Sequence, residues 1–409
     1  MPGLHRFGRA LSLFSGAGGL DLGLERAGFT TVACLEIDED ARSVLAANRR
    51  RWNVLEDGDV VKAAKTLKPS DVGLKPGELE LIAGGPPCQP FSKAAQWHRA
   101  ARMGMLDPRA QTVNGMFDLV ESFLPRAVMV ENVSGFLQGK NSALDVITSR
   151  LDEINQRHCT NYEFMWEIVD AADYGVPQHR QRAIAFAFRD GLKPVIPSPT
   201  HAHRPVRAWD ALWDVREDEK PHPSGYWTGL LPSIPEGKNY LHHTARGEGQ
   251  EVFGWRTRYW SFLLKLAKDR PSWTLPASPG PNTGPFHWEN RPLSIREQAR
   301  LQSFPDSWRM VGPDHILRRL IGNATPPLLA EVLGRSIIDQ LALGSPEDRI
   351  PHLARRASLQ RPRRRIVPSP EPVDEFPEAF KQHVGAKAAH PGEGLGPAPR
   401  TALDTGTAG

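Results

Sequence analysis

The chemistry of this 409-residue chain is concentrated in three short stretches. The first is Gly84-Gly85-Pro86-Pro87-Cys88-Gln89-Pro90-Phe91-Ser92, directly after the apolar run Leu79–Ala83. Its prolines fix the backbone and the two preceding glycines let it turn sharply. That places Cys88 at the mouth of the sheet on a preorganised loop, where a free thiol is available for chemistry. Most lone cysteines are small apolar fillers, but this surrounding sequence is too specific for that reading. The second stretch, Val130-Glu131-Asn132-Val133, brings a carboxylate to the end of another apolar run, where it can exchange protons. The third, Gln178-His179-Arg180-Gln181-Arg182, sets two guanidinium groups at alternate positions on one side of an extended segment.

A ligand-binding loop precedes all three. Leu11 to Asp21 reads as a strand, a glycine turn and a helix start. Gly16, Gly18 and Gly19 allow close backbone approach and present N–H groups at a helix N-terminus. Glu36 ends the next strand about twenty residues on, where an acidic side chain can accept from both hydroxyls of a ribose. Asp21 stands in the place of a third glycine, which weakens a nicotinamide-binding reading. Asp59 is an acceptor for an adenine amino group on one reading and a helix cap on the plainer one.

These groups need a scaffold that brings them to one edge. Residues 10–190 supply alternating strands and helices: strands at Ala10–Phe14, Thr31–Glu36, Leu79–Ala83, Arg126–Glu131, Glu163–Val169 and Ala183–Phe188. Met116, Phe117, Val120 and Leu124 fall on one helical face, as do Leu144, Ile147, Leu151 and Ile154. The pattern predicts an α/β fold with a mostly parallel sheet covered on both faces, and ligands beyond the carboxyl ends of its strands. From Gly191 to Arg291 periodicity fades and Pro, Gly, Trp and His increase. Arg256, Arg258, Tyr259, Trp260, Lys265 and Lys268 mix charge with rings, as in a nucleic-acid-contacting region or simply a wet surface. Helical patterns return at Ser294–Gln302 and Pro327–Leu343. The predicted organisation is therefore 1–190 as the catalytic and cofactor-binding part, 191–291 as a smaller irregular domain, 292–344 returning to the catalytic domain, and 345–409 as a disordered tail. Deleting that tail is expected to leave target specificity unchanged, although its arginine cluster could touch phosphates.

Composition narrows the class. With 40% hydrophobic and 24% charged residues the chain reads as soluble and globular. No apolar run approaches the roughly 20 residues of a membrane span. Met1–Arg6 has no secretory leader pattern, so a cytoplasmic protein is expected. Three cysteines without a Cys-x-x-Cys spacing argue against a disulfide framework or a zinc site, and no metal is expected. A net charge of +4 permits a polyanionic partner without requiring one.

Taken in order, the motifs resemble the DNA cytosine-C5 methyltransferase family over most of residues 10–342. They are Phe14-Ser15-Gly16-Ala17-Gly18-Gly19, Pro86-Pro87-Cys88-Gln89-Pro90-Phe91-Ser92, Glu131-Asn132-Val133, Gln178-His179-Arg180-Gln181-Arg182, Arg291-Pro292-Leu293-Ser294-Ile295-Arg296-Glu297, Leu301-Gln302-Ser303-Phe304-Pro305 and Ile321-Gly322-Asn323-Ala324. Val60 and Ala324-Thr325 depart slightly from the pattern. The resemblance implies a Rossmann-like S-adenosylmethionine-dependent domain with a target-recognition domain at 191–291. It implies Cys88 as nucleophile toward cytosine C6, Glu131 at the ring N3 and exocyclic amine, and Arg180 and Arg182 holding Glu131 and a flipped nucleotide. Phe14, Ser15, Gly16, Gly18, Leu20, Glu36, Ile37, Asp59, Val60, Pro86 and Asn323 would line the cofactor site. Gln89, Ser92 and Gln178 would meet DNA, with Arg256 and Arg258 as candidates for guanine, and Ser92–Arg109 would close over the target base around Gly104. The expected partner is double-stranded DNA, met by a monomer. A cognate restriction endonuclease would act on the same site without implied contact. A tRNA-methylating relative, a silent DNA-binding module and a nicotinamide oxidoreductase are the competing readings. The long 191–291 segment disfavours the first, the intact Cys88, Glu131 and arginines disfavour the second, and the last leaves Cys88 unexplained.

Overall fold

The computed structural model describes residues 7–87, 111–138, 142–216, 220–244, 246–253, 260–343, 363–373 and 380. Cys88, Gln89, Ser92, the Ser92–Arg109 loop, Arg256 and Arg258 lie outside the described residues.

The apolar runs form strands β1 (Gly8–Leu13), β2 (Phe29–Leu35), β3 (Leu81–Gly84), β4 (Ala127–Asn132), β5 (Glu163–Asp170) and β6 (Gln181–Phe188). They make a 6-stranded sheet in the order β2-β1-β3-β4-β6-β5. Neighbours from β2 to β4 are parallel, while β6 is antiparallel to both β4 and β5. The sheet is thus mostly parallel, with β6 alone reversed. β3 and β4 are buried along their whole length, which is why they read as unbroken apolar runs. The chain leaves β1 toward β2 and returns to β3 on the other side, opening a crevice at the carboxyl ends of β1 and β3.

Helices α1 (Gly19–Ala27), α2 (Glu39–Asn48), α3 (Val60–Thr66), α4 (Gln111–Phe123) and α5 (Leu144–His158) follow the first strands. Val113, Met116, Phe117 and Val120 of α4 and Ile147, Leu151 and Ile154 of α5 fill the core under one face of the sheet. The opposite face is covered by α1 and by α9 (Pro327–Gln340), which the chain reaches after α6 (Ala208–Leu212), α7 (Ile295–Leu301) and α8 (Asp314–Asn323). At Gly23 a Cβ would stand 2.4 Å from both Ala330 Cβ and the Pro327 carbonyl oxygen, so only glycine lets α1 and α9 approach this closely. The last helix thereby closes onto the first.

The region 191–291 is irregular, as its weak periodicity predicts, but it is not packed as a unit of its own. Its base (Ala208, Trp209, Leu266, Leu275 and Trp288) shares a core with Leu22, Val44, Leu301 and Trp308 of the sheet lobe. Its tip has a separate core around Trp227, Leu230, Tyr240, Phe253 and Phe286. The expectation of a structureless tail does not hold for 363–373 and Phe380. Ile366 packs against the base core and Phe380 is buried in the tip core. Low hydrophobicity predicts disorder for an isolated segment, yet here both apolar cores and hydrogen-bonding groups of the second lobe supply partners. No helix among the described residues is long and apolar enough to cross a membrane.

Candidate active site

The reversal of β6 assembles the site. Parallel strands deliver their carboxyl ends to one edge, and an antiparallel neighbour begins at that same edge. Asn132 therefore pairs with Ala183 and Glu131 with Ile184, which sets the start of β6 beside the end of β4. Arg182 Nε lies 3.0 Å from Glu131 Oε1, with both side chains largely buried. The contact is an ion pair rather than a linear hydrogen bond, and that buried oxygen accepts no hydrogen bond among the described residues. A buried acceptor left short of donors calls for an explanation, and a ligand's donors are one.

The loop leading to Cys88 starts against this pair. A Cβ on Gly85 would stand 3.2 Å from Glu131 Oε2, so the turn passes directly over the carboxylate. Asn132 Nδ2 donates to the Pro86 carbonyl at 2.8 Å, fixing the loop before the cysteine. Cys88 itself lies beyond the described Pro87. Asn132 was quoted only as Glu131's neighbour. Its role is invisible in sequence because the partner is a backbone carbonyl 46 residues away.

Among the described residues, Arg180 bonds to Gly322 and Asp170. It is 1% exposed, its Nη2 donates to the Gly322 carbonyl at 2.9 Å, and its N–H to Asp170 Oδ1 at 2.8 Å. It ties the end of α8 to the sheet edge. Gln178, expected on the DNA surface, is fully buried, so that assignment is corrected. Its Oε1 accepts from Leu275 N and its amide points to the Leu301 carbonyl, joining three segments. His179, between them, is the partly exposed member. Its Nδ1 lies 2.9 Å from Asp170 Oδ2, and this hydrogen bond raises its pKa above the ordinary value. Beside it Trp273 and Trp260 form an exposed aromatic ledge, with ring centroids 5.8 and 4.4 Å apart in succession. Only chain crossing brings these three together.

The glycine loop sits across the crevice. Phe14, Gly16 and Gly18 all have positive φ, at 58°, 54° and 78°, which two glycines accept freely and Phe14 tolerates as a strained exception. Glu36 accepts from Gly16 N at 2.6 Å through Oε2 and from Asp38 N at 2.8 Å through Oε1. Burial raises its pKa, against the lowering effect of those two bonds. Ile37 is 68% exposed beside it, an apolar side chain left open at the crevice. Asn323 is exposed at the end of α8, while Ser15, Leu20, Val60 and Pro86 are buried. Leu20 and Val60 belong to the two cores flanking the sheet and support the pocket from behind. Asp59 caps α3, its Oδ1 accepting from Val61 N at 2.9 Å, so the plainer reading of that residue is realised in the structure.

Under the loop lies a polar cluster that sequence reading did not assemble. Asp21 is 0% exposed, and its Oδ1 accepts from Ser15 Oγ at 3.1 Å and Cys34 Sγ at 3.4 Å. Burial raises the Asp21 pKa, and burial followed by Asp21 pushes the Cys34 thiol well above its ordinary value. Cys34 is thus a protonated packing group and no competitor for the role of nucleophile.

Residues 8–339 match the family model described as C-5 cytosine-specific DNA methylase. The Type II methyltransferase M.SacI of Streptomyces achromogenes is 34% identical over 391 residues, covering 86% of this chain and 98% of its own length. M.NgoMIV of Neisseria gonorrhoeae, also a Type II methyltransferase, is 31% identical over 344 residues, covering 81% and 97%. Among solved structures, the Dnmt2 methyltransferase of S. pombe aligns with a TM-score of 0.55 at 20% identity, covering 82% of this chain and 99% of that one, a likeness of fold. With the match running from β1 to the last turn of α9, the chain belongs to the C-5 cytosine-specific DNA methylase family and is a DNA cytosine-5 methyltransferase.

Proposed function

We propose that this methyltransferase uses S-adenosylmethionine to methylate a cytosine flipped out of a specific double-stranded DNA site, as the modification enzyme of a restriction–modification system. The observation that carries this reading is the buried Glu131 carboxylate, with an oxygen short of donors, set between Arg182 and the start of the Cys88 loop. A cytosine edge offers the donors that this oxygen lacks, namely the exocyclic amine and a protonated N3. Attack of the Cys88 thiolate on C6 forms a carbon–sulfur bond and pushes the ring electrons toward C5 and N3. Glu131 supplies or shares the proton at N3, and Arg182 holds the carboxylate in place. C5 takes the methyl group, a base removes the C5 proton, and the re-formed double bond expels the thiolate. Such attack is blocked inside a stacked duplex, so the base must swing out at a cost of roughly a few kcal/mol.

The residues at the crevice support this choice of methyl donor. Glu36 would accept from a ribose diol, the exposed Ile37 would pack on an adenine, and the positive-φ turn at Gly16 and Gly18 would bring backbone N–H groups toward the ligand. When bound, S-adenosylmethionine supplies a methyl group activated by its sulfonium charge. Phe14, Ser15, Asp59, Pro86 and Asn323 complete the proposed pocket, and Leu20 and Val60 back it. We place base reading in the second lobe, with Arg256 and Arg258 its candidates and Gln89 and Ser92 on the catalytic side. The Type II names of the relatives support a modification role. In that role a monomer would meet one strand of a site at a time, and a cognate endonuclease would share only the sequence.

Bisulfite sequencing of plasmid DNA from a host without cytosine methylation tests the reading. Protected cytosines within one short motif are expected with the intact chain and none with Cys88→Ala. Protection that survives Cys88→Ala removes the nucleophile assignment. No protection by folded intact protein, with protection of RNA instead, replaces the DNA reading.

A further inference from the structure

Residues 363–373 and 380 lie beyond the matched family region, which ends at 339. They nevertheless contact the second lobe at several points. Arg364 N donates to Asp210 Oδ1 at 3.0 Å, and the Arg364 guanidinium lies 4.8 Å from the Trp213 ring centre. Trp209 Nε1 donates to the Arg365 carbonyl at 2.9 Å. Val373 N donates to the Pro232 carbonyl at 3.1 Å. Phe380, 4% exposed, lies 5.6 Å from Trp227 and 5.1 Å from Tyr226 between ring centres.

Lys268 shows that this packing is built in. It is 5% exposed, and its Nζ donates to the Val367 carbonyl at 2.7 Å and to Ser369 Oγ at 2.6 Å. Glu236 stands 3.3 Å away and itself accepts from Ser369. The segment thus supplies two of the oxygen partners of this buried ammonium, beside Glu236. Ile366 belongs to the base core and Phe380 to the tip core, so the segment bridges two cores that the rest of the lobe joins through irregular backbone.

We propose that residues 363–373 and Phe380 act as a strap that fixes the tip of the second lobe against its base, and so positions the DNA-reading surface for the methyl transfer. This rests on the reading of that lobe as the one that meets DNA. Among the described residues the strap touches neither the Glu36 crevice nor the Glu131–Arg182 pair, so the proposal has it govern DNA engagement and leave the chemistry intact.

The test compares the intact chain with one ending at Leu343 and one ending at Val384. The Leu343-ended chain should show a KM for DNA raised about tenfold, kcat within about twofold and unchanged S-adenosylmethionine affinity. Hydrogen exchange should quicken in 226–243 and stay unchanged in the sheet. The Val384-ended chain should match the intact one, and a peptide of residues 363–384 should restore the KM. Phe380→Ala in the full chain should raise the KM by a smaller factor. An unchanged DNA KM in the Leu343-ended chain overturns the proposal. So does parallel loss of kcat and donor affinity that the peptide does not restore, because the strap would then hold the whole fold. An intact chain that methylates no DNA sinks the underlying reading instead, and the exchange of the tip then decides the strap independently.

Discussion

The sheet lobe and the second lobe are stabilised by different means. In the first, aliphatic side chains at regular spacing fill two cores on either side of a mostly parallel sheet. In the second, an aromatic core is hung on irregular segments and tied by side chains that satisfy particular partners, such as Lys268 on the strap. Regular packing tolerates exchange among apolar residues of similar volume. Polar ties are specific, and removing one partner strands the other. A rigid frame for chemistry and a less regular surface for reading sequence are the division that a site-specific nucleic-acid enzyme requires.

The sharpest way to break the comparison on the sheet side is Glu131→Gln. Its buried setting beside Arg182 should be preserved, while the ability to exchange a proton is lost. Single-turnover methyl transfer is expected to slow by roughly 10²–10⁴-fold with DNA affinity nearly unchanged. An unaltered rate would remove the residue from the chemistry.

The corresponding break on the other side falls at the joint between the lobes. Arg291 donates to both oxygens of Glu297 at 2.8 Å, and Glu297 closes a capping box with Ser294 at the start of α7. Burial tends to raise the Glu297 pKa, but Arg291 and its other partners hold it below the ordinary value. Arg291→Ala leaves that carboxylate buried without its fork and should cost about 3–5 kcal/mol in urea unfolding. A loss below about 1 kcal/mol would mean that the joint is held by apolar packing alone.

The smallest effect is expected at the seam, where His179 meets Asp170. The two side chains are 42% and 23% exposed, so the pair contributes less than about 1 kcal/mol. The His179 pKa is raised from 6.5 chiefly by this bond, with Asp170 and Asp173 adding to it. The Asp170 pKa is lowered from 3.8, because the bonds from His179, Arg180 N and Ala172 N together outweigh its burial. The histidine's contribution is full below 6.5 and fades as pH rises through its folded value. That of Asp170 is present above 3.8 and fades as pH falls. His179→Gln should therefore narrow the thermal stability gap to the parent as pH climbs from 6 to 9. A gap that is constant over that range would show that the pairing carries no charge-dependent stability.

Much of the sheet lobe was legible because its elements are periodic. Ser294–Gln302 reads as a helix and is one, with Ser294 and Gln302 as its caps. Met116, Phe117 and Val120 are buried as their spacing requires. The motifs gave Glu131 and Arg182 as neighbours. They did not separate Arg182 from Arg180, or an exposed His179 from a buried Gln178, since alternation along an extended segment names two faces without saying which meets solvent. The strap was illegible for a related reason. Val367, Ser369 and Val373 carry no pattern, and their partners Lys268, Glu236 and Pro232 are distant in sequence.

The sequence by itself pointed to the reaction class through ordered short motifs that resemble one family, because a motif is a local feature that travels with the chain. It determined the α/β architecture too, since hydrophobic period is a local property. Only the tertiary structure decided that β6 runs backward and sets Arg182 on Glu131, that Gln178 and Arg180 turn inward, and that a polar tail binds the second lobe. Each of these depends on partners far apart along the chain, which packing alone brings together.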